Sequence, residues 1–448
     1  MPELIVTKDI DAPGLDTLEG YRKHDGYQAL EKALQEYQPD ELVELMKKSG
    51  LRGRGGAGFP TGLKWSFLAK NDKPRYLCCN ADESEPGTFK DRMLMEKNPH
   101  QLIEGVIITS YACRVTTAFI YVRGELALAG RQIARAIDEA YAAGYIGKNI
   151  LGSDYSLDVI MHRGAGAYIC GEESALMESL EGRRGYPRLK PPFPAAVGVY
   201  GGPTVINNCE TLSTIPAIIR NGADWYATIG TEKSKGTRVF CLSGHVKKPG
   251  NYELPLGTPM RTLIYDEQYG GGILDDKEIK AIIPGGSSTP MLGPDKLDTL
   301  LDFEAIAAAG SMAGSGGVVV MHHDTCIVDA VLRMTEFYRD ESCGKCTPCR
   351  EGTYWLTEIL HRLEHGHGSS KDIDLLLDIC DNISGKSFCP LGDAATSPIV
   401  SSIKLFRDEY EAHVREGRCP FKHDDLKASG AWRPQGSPLP YTQSSQEL

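Results

Sequence analysis

Three cysteines fall within seven residues of this chain, in the run Cys343-Gly-Lys-Cys346-Thr-Pro-Cys349, and a fourth precedes a proline much later, in Cys389-Pro390. A C-x2-C-x2-C run closed by a distant Cys-Pro is typical of ferredoxin-type [4Fe-4S] ligation. Structural zinc motifs usually present two separated C-x2-4-C pairs, so zinc is the weaker interpretation and unligated cysteines the weakest. The pattern therefore predicts a segment that folds around an iron–sulfur cluster and transfers electrons.

Two cysteines compete for the fourth position of this cluster. Cys380 ends the stretch Asp374-Leu-Leu-Leu-Asp-Ile-Cys380, a helical apolar stripe in which a cysteine usually acts as a small buried hydrophobe. Cys389 lies in a loop interrupted by glycine and proline, which suits a segment that wraps a cluster. We therefore predict Cys389 as the ligand.

Composition limits the classes of function. With 448 residues, 41% of them hydrophobic, the chain is long enough for about three globular domains. The formal charge of −11 argues against nucleic-acid binding, because such proteins normally carry a basic surface. The 13 cysteines are odd in number and mostly isolated in apolar surroundings, which indicates a reducing compartment. Neither a membrane span nor a signal peptide is recognisable, so membrane association would require a partner subunit.

Hydrophobic periodicity divides the chain into four segments. Amphipathic helices at about 26–49 and strands alternating with helices beyond them predict an α/β domain with a mostly parallel sheet, over 1–235. Short strands with Gly/Pro turns predict a small mixed α/β module over 236–325. Helical patterns return over 326–422, where the cluster cysteines flank the helices. The tail at 423–448 lacks periodicity, and we expect it to be disordered or to lie on a partner.

A glycine-rich loop comes after the N-terminal helices. It satisfies G-x-G-x-x-G, but a helix precedes it and Phe59-Pro60 interrupts the residues after it, so an ordinary Rossmann nucleotide site is not expected here. Its glycines still allow backbone N–H groups to approach a flat or phosphorylated ligand. Lys64 can neutralise a phosphate, and Phe59 and Phe67 offer faces for a stacked ring. A purely structural loop is the alternative.

Polar residues follow predicted strands at two further places. Asn80-Ala-Asp-Glu-Ser-Glu85 comes directly after an apolar run, where α/β sheets bind ligands, although it could be a solvated turn. Gly164-Ala-Gly-Ala-Tyr-Ile-Cys-Gly171 leaves a strand and leads into a helix, so its amides can face a ligand. Glu172 and Glu173 suit the positive helix end, as simple first-turn residues would.

Two pairs of adjacent polar residues complete the candidates. The amides of Asn207 and Asn208, with Thr211, could bind phosphate or flavin polar atoms, or the pair could form a turn or a helix N-cap. His322 and His323 lack the i,i+4 spacing of metal ligands and are expected to be structural or exposed.

Four motifs together resemble the NADH- and FMN-binding subunit of respiratory complex I, over nearly the whole chain. They are Arg52-Gly-Arg-Gly-Gly-Ala-Gly-Phe-Pro-Thr-Gly-Leu-Lys-Trp65, Asn80-Ala-Asp-Glu-Ser-Glu-Pro-Gly-Thr-Phe-Lys-Asp91, Gly164-Ala-Gly-Ala-Tyr-Ile-Cys-Gly-Glu-Glu173 and Glu341-Ser-Cys-Gly-Lys-Cys-Thr-Pro-Cys-Arg-Glu-Gly352. The resemblance implies a Rossmann-like FMN-binding domain, a ubiquitin-like β-grasp domain and a C-terminal helical bundle with a [4Fe-4S] cluster.

The resemblance also implies a set of site residues. Around NAD(H) it places Phe59, Lys64, Phe67, Glu85, Tyr168 and Glu173, of which Glu85, Tyr168 and Glu173 would position and tune the reactants. To FMN and the glycine loops it assigns Gly53, Arg54, Gly55, Gly56, Ala57, Gly58, Pro60, Thr61, Gly62, Asn80, Asp82, Glu83, Gly164, Ala165, Gly166, Gly171, Glu172, Asn207, Asn208 and Thr211. The cluster would be held by Cys343, Cys346, Cys349 and Cys389.

The implied reaction is hydride transfer from NADH to FMN, followed by single-electron transfer to the cluster and onward toward quinone. The implied partners are a thioredoxin-like [2Fe-2S] subunit and a multi-cluster iron–sulfur subunit, at the cytoplasmic face of the bacterial inner membrane. The rival is the homologous diaphorase subunit of a soluble NAD-linked hydrogenase or formate dehydrogenase. Those often carry an N-terminal [2Fe-2S] domain, whereas about 50 cysteine-free residues precede the first glycine loop here, which favours complex I.

Overall fold

The computed structural model describes residues 3–421. The tail predicted at 423–448 lies outside the described residues, as does residue 422 of the predicted helical segment.

Four helices lie in the first part of the described chain, three before the first glycine loop and one after it. They are α1 (Leu18–Lys23), α2 (Gln28–Glu36), α3 (Pro39–Ser49) and α4 (Thr61–Ser66). Helix α3 starts with a proline in its first turn and a capping box between Gln38 and Glu41. It ends at Gly50, whose φ of +69° is the left-handed conformation that glycine adopts without strain. The chain then turns sharply, so that loop 51–60 lies between α3 and α4.

A four-stranded parallel sheet forms the centre of the next part. Its elements are β1 (Tyr76–Ala81), α5 (Lys90–Lys97), α6 (Pro99–Cys113), β2 (Thr117–Val122), α7 (Ala127–Ala142), β3 (Asp158–Arg163), α8 (Glu173–Leu180), β4 (Thr204–Asn208), α9 (Cys209–Asn221) and α10 (Ala223–Ala227). The strand order is β3-β2-β1-β4, and all neighbours run parallel. Asn80 pairs in register with Asn208, so the carboxyl ends of β1 and β4 deliver both amides to one edge.

The second module is a mixed sheet with short helices. It comprises β5 (Thr237–Gly244), β6 (Gly250–Pro255), α11 (Met260–Tyr265), β7 (Ile279–Ile283), α12 (Phe303–Ala308) and β8 (Gly317–His322). The order is β6-β5-β8-β7, with only the central pair parallel. His322 ends β8 and stacks on His245 at 3.8 Å, while the side chain of His323 is exposed, as expected for structural or surface histidines.

The last part is a bundle of four helices: α13 (Ile327–Glu341), α14 (Thr347–Glu364), α15 (Ser370–Ile383) and α16 (Pro390–Glu416). Cys346 is the N-cap of α14 and Cys389 the N-cap of α16, so the cysteines lie at one end of the bundle. These elements confirm the predicted fold class of α/β domain, small mixed module and helical bundle. Within residues 3–421, no helix is both long and apolar enough to cross a bilayer.

Candidate active site

A cavity of about 560 Å³ lies where the three parts of the chain meet. The α/β domain contributes the ends of β1 and β4 and the loop before α8, the mixed module contributes Ser288, Met312 and Ser315, and the bundle contributes the start of α16. The predicted site residues that line the cavity are Gly55, Asn80, Asp82, Glu83, Glu85, Tyr168, Gly171, Glu172, Asn208 and Cys389. Residues far apart in sequence are thus brought to one concave surface of the size that a small cofactor requires.

Glu85 and Tyr168 are joined directly at this surface. The Tyr168 hydroxyl donates to Glu85 Oε2 at 2.7 Å, and the backbone N–H of Ser288 donates to Glu85 Oε1 at 2.7 Å. Gly286 lies against this carboxylate, because a Cβ there would come within 2.5 Å of Glu85 Cγ. Burial, reinforced by the negative charge of Glu85, raises the pKa of Tyr168 well above its usual value. The phenol therefore remains a hydrogen-bond donor at physiological pH.

Tyr168 also ties the α/β domain to the bundle. Its backbone N–H donates to Glu341 Oε2 at 3.0 Å, and its ring packs edge-on against Phe337 at 5.1 Å. Glu341 is the last residue of α13, directly before the cysteine loop. A displacement of the cysteine loop would consequently be transmitted to the wall of the cavity.

Asp82 and Glu83 are adjacent buried acids with different partners. Glu83 accepts hydrogen bonds from the backbone N–H groups of Asp91 and Arg92, both at 2.8 Å, and so caps the start of α5. Asp82 accepts a hydrogen bond from the Ser84 hydroxyl at 3.2 Å. Burial raises the pKa of each carboxyl group to about 7. Both carboxyl groups therefore keep a proton to higher pH than an exposed acid does.

A buried cation was missed by sequence reasoning. Lys90 Nζ lies 2.8 Å from both Asp91 Oδ1 and Glu210 Oε2, and all three side chains are almost fully buried. Asn208 Nδ2 donates to Asp91 Oδ2 at 2.6 Å, which fixes this amide at the cavity. Lys90 and Asp91 both line the cavity. The available signal was their position at the end of the acidic motif, where a lone Lys-Asp follows three acids.

Lys190 is a second cation that sequence reasoning passed over. Its Nζ lies 2.8 Å from Glu172 Oε1 and 2.6 Å from Glu173 Oε1. The other oxygen of Glu172 accepts from the N–H groups of Ser174 and Ala175 and caps α8, so Glu172 is both a helix cap and a cavity residue. Lys64 donates to the Ile206 carbonyl at 3.1 Å, and burial lowers its pKa.

The first glycine loop contributes mainly backbone and surface. Arg54 is fully buried, and its guanidinium donates to the Tyr226 hydroxyl and to the carbonyl groups of Lys235 and Thr237. Its side chain therefore holds the loop, and its N–H donates to Thr211 Oγ1 at 2.8 Å. Phe59 and Phe67 are 41% and 56% exposed, with ring centroids 6.1 Å apart. They form an exposed aromatic surface on which a flat ring could stack.

The remaining predicted residues of the glycine loops lie outside the cavity lining. Gly58 packs on the Phe303 ring and Gly62 on the backbone of α3. Asn207 accepts from Trp65 Nε1 at 3.0 Å. The other residues of this group, at intermediate or surface positions except for buried Thr61, are Gly53, Gly56, Ala57, Pro60, Thr61, Gly164, Ala165 and Gly166.

Cys343, Cys346, Cys349 and Cys389 converge on a second, smaller cavity. The backbone N–H of Phe388 points to Cys346 Sγ at 3.4 Å, and the Ser342 hydroxyl lies 3.2 Å from Cys349 Sγ. Burial raises the pKa of Cys349 to about 11 and that of Cys389 to about 12, so the positive charge of a metal centre is what would keep them as thiolates. This donor set fits a [4Fe-4S] cluster. Cys380 is buried within α15 and does not line the cavity.

Cys389 lines both cavities. The residues directly after it, Pro390 and Leu391, form part of the larger cavity wall. The two cavities are therefore neighbours that share part of their wall.

Comparison with known proteins defines the class first. Residues 46–217 match the family model described as the Nuo51 FMN-binding domain, residues 239–292 the SLBB domain, and residues 329–413 the iron–sulfur binding region of NADH-ubiquinone oxidoreductase F. The chain is thus a flavin- and iron–sulfur-binding oxidoreductase component, which confirms the predicted FMN and [4Fe-4S] cofactors.

Similar chains then define the family. The NADH-quinone oxidoreductase F subunit of Mycobacterium bovis is 56% identical, over 95% of this chain and 97% of its own length. The corresponding F subunit 2 of Rhizobium meliloti is 53% identical over 94% and 100%, and the F subunit of Streptomyces coelicolor 55% over 93% and 91%. The chain belongs to the family of NADH-quinone oxidoreductase F subunits, as its motifs predicted.

The fold also occurs in a related enzyme class. The crystal structure of an NAD+-reducing [NiFe]-hydrogenase in the H2-reduced state superposes with a TM-score of 0.81 and 34% sequence identity, covering 95% of this chain and 69% of that one. The same enzyme class in the air-oxidised state gives a TM-score of 0.79. The chain is therefore similar to a subunit of an NAD+-reducing hydrogenase, as the diaphorase alternative supposed. Its sequence identity to the NADH-quinone oxidoreductase relatives is higher.

Proposed function

We propose that this chain is the electron-input subunit of a respiratory NADH:quinone oxidoreductase, oxidising NADH at the larger cavity and delivering electrons to a [4Fe-4S] cluster on Cys343, Cys346, Cys349 and Cys389. The observation that carries the proposal is the position of Cys389, which lines both cavities. Electron transfer between a flavin and a cluster requires this proximity. FMN, when bound, accepts a hydride and releases electrons one at a time.

The inner part of the cavity is suited to the flavin. Gly55, Asn80, Asp82, Glu83, Gly171, Glu172 and Asn208 are assigned to it, because they line the cavity. Among them, Asn80 and Asn208 are held in place by the sheet register, and Asn80 donates to the Gly171 carbonyl at 2.9 Å. We assign the remaining glycine-loop residues, Arg54, Asn207 and Thr211 to holding this wall in shape.

The outer part is suited to the dinucleotide. Phe59 and Phe67 offer exposed ring faces, and Lys64 lies behind them with Glu173 nearby. Lys190 offsets the charges of Glu172 and Glu173, which reduces repulsion of an anionic pyrophosphate. Glu85 and Tyr168 would orient the nicotinamide portion, since their hydrogen bond fixes both side chains at the cavity surface.

Partners and location are part of the same proposal. Membership of the family makes the chain a subunit of a larger complex. We infer that its neighbours are a thioredoxin-like [2Fe-2S] subunit and a multi-cluster iron–sulfur subunit, and that the complex places it at the cytoplasmic face of the inner membrane. Gentle co-purification that recovered the chain without any iron–sulfur subunit would contradict this assignment.

An anaerobic titration tests the central claim. NADH is added to the purified full chain while flavin absorbance and low-temperature EPR are recorded. We expect the flavin to bleach and a [4Fe-4S]⁺ signal to develop in the same protein. A chain that contains flavin but no iron, or iron that NADH cannot reduce in the presence of bound flavin, would refute the proposed electron path.

A further inference from the structure

A second cluster of metal-binding side chains lies in the helical bundle, away from the cysteines described above. The ligand atoms of Cys326, Glu364, His413 and Cys419 all lie within 4.8 Å of one another, and all four residues are buried. They come from four separate places: the N-cap of α13, the last residue of α14, the last turns of α16 and the segment after α16. From this convergence we propose that the chain carries a structural Zn²⁺ ion, independent of its iron–sulfur cluster.

The spacing of the ligand atoms fits a tetrahedral ion. Cys326 Sγ lies 3.3 Å from His413 Nε2 and 3.4 Å from Glu364 Oε2, and these two atoms are 3.2 Å apart. Typical Zn–S and Zn–N or Zn–O bond lengths predict tetrahedral edges of about 3.3–3.8 Å, the longer ones involving sulfur. One ion could therefore contact all of these atoms with little rearrangement.

Two of the four ligands, His413 and Cys326, are oriented by hydrogen bonds of their own. His413 has its Nδ1 2.7 Å from the Glu409 carbonyl, so Nδ1–H donates there and Nε2 is left to face the cluster. Cys326 Sγ accepts from the backbone N–H of Asp329 at 3.3 Å, at the positive end of α13. Two thiolates, an imidazole and a carboxylate form a set that zinc prefers.

The location indicates what the ion would do. Helix α13 contains 15 residues, so its two ends are about 22 Å apart. Its first residue follows Cys326, and its last precedes the iron–sulfur cysteines; α14 connects the same two regions in the opposite direction. A closed, four-ligand buried site is structural, because no position remains for substrate. The zinc would clamp one end of the bundle while the cluster occupies the other.

The ion would also retain the chain after α16. Cys419 is separated from the helix by a glycine turn, and Phe421 lies under Lys280 of the mixed module, with Nζ 4.2 Å from the ring centroid. Lys280 in turn forms an ion pair with Glu409. A metal on Cys419 would thus fix this segment against both the bundle and the mixed module.

Elemental analysis of the anaerobically purified full chain tests the proposal. We expect about one zinc per chain beside the cluster iron, and zinc K-edge spectra with about two sulfur ligands at about 2.3 Å. Cys419→Ala and His413→Ala should each lower zinc occupancy at least about tenfold, as loss of even a supporting residue can do. Both variants should keep iron and flavin. Cys380→Ala is the matched control, because it alters a buried cysteine of the same bundle that belongs neither to the proposed zinc site nor to the iron–sulfur ligands.

A variant of the iron–sulfur ligands distinguishes zinc bound at the proposed site from zinc bound in place of iron at the iron–sulfur cysteines. Cys346→Ala should lose iron and retain zinc. Wild-type chain with full iron and flavin but no zinc, grown with zinc and purified without chelator, would overturn the proposal even if the variants misfold. So would zinc that disappears only in Cys346→Ala, or a Cys326–Cys419 disulfide found by mass spectrometry in the anaerobic protein.

Discussion

The Tyr168 hydroxyl donates a 2.7 Å hydrogen bond to Glu85, although the two residues lie on different loops of the α/β domain. Glu85 is further held by the Ser288 backbone of the mixed module, and Tyr168 by Glu341 of the bundle. The geometry of this pair therefore depends on how all three parts of the chain are placed relative to one another. Changes to it should affect substrate turnover more than folding.

Tyr168→Phe removes only the hydrogen bond. A hydrogen bond to a charged group contributes about 1.5–3 kcal/mol, so we expect kcat/KM for NADH to fall about 10- to 100-fold. Flavin and iron content should stay at wild-type levels. Steady-state oxidation of NADH with ferricyanide as acceptor measures the effect. Tyr252→Phe, which alters a hydroxyl bonded only to backbone carbonyls of the mixed module, is the control, and equal kinetics in both variants would contradict the assigned role.

Cys389→Ala and Cys380→Ala should behave oppositely. Cys389 lines the cavity of the other three cysteines, whereas Cys380 is enclosed in α15. We expect the first variant to lose the [4Fe-4S]⁺ EPR signal and most cluster iron, and the second to retain both. Loss of the signal in Cys380→Ala with retention in Cys389→Ala would reverse our choice of the fourth ligand.

Much of this arrangement could be read from sequence, and the reasons differ from residue to residue. The cysteine spacing and the strands are local patterns, which is why Cys389 could be preferred over Cys380 and both sheets predicted. Ser288 could not be found, because it reaches the cavity only after the mixed module docks, and Lys90 gave only the weak signal of a Lys-Asp pair that ends the acidic motif. The resemblance assigns Arg54 to cofactor binding, and only the structure shows that its guanidinium donates to buried carbonyl groups instead. Cys326 lies far from His413 and Cys419 in sequence, and the three residues follow no familiar metal-binding spacing.

Flavin binding should weaken as pH rises through about 7. Burial raises the pKa of Asp82 to about 7, so this carboxyl group is neutral below that pH and gains a negative charge above it, close to an anionic cofactor. Asp82→Asn should reduce the pH dependence of the FMN dissociation constant between pH 6 and 8, roughly one unit either side of that pKa, and leave the part that comes from Glu83. Asp72→Asn, at an exposed position, controls for net charge. A wild-type pH profile that Asp82→Asn reproduces in full would exclude this carboxyl as its source.

Lys90→Met should destabilise the α/β domain. It leaves Asp91 and Glu210 buried without their cation, and removal of one partner of a buried ion pair typically costs about 3–5 kcal/mol. Thermal unfolding and flavin retention measure the effect. Lys247→Met breaks an exposed ion pair with Asp276 and, as the control, should leave stability nearly unchanged.

A rescue experiment separates charge from packing at Lys90. Adding Asp91→Asn and Glu210→Gln to Lys90→Met removes the stranded negative charges. Stability should then recover in part, because neutral amides are cheaper to bury than carboxylates. A triple variant as unstable as Lys90→Met alone would mean that the lysine acts through its aliphatic chain.

The shared position of Cys389 has a consequence for how the protein is built. Because this residue and the start of α16 belong to the wall of both cavities, we expect the insertion of one cofactor to change how firmly the other is retained. If a chain binds flavin before it receives iron, Cys389 is not yet bound to a metal. The wall of the flavin cavity at Cys389 is then not yet fixed. Insertion of the cluster would then fix this wall and slow the dissociation of flavin.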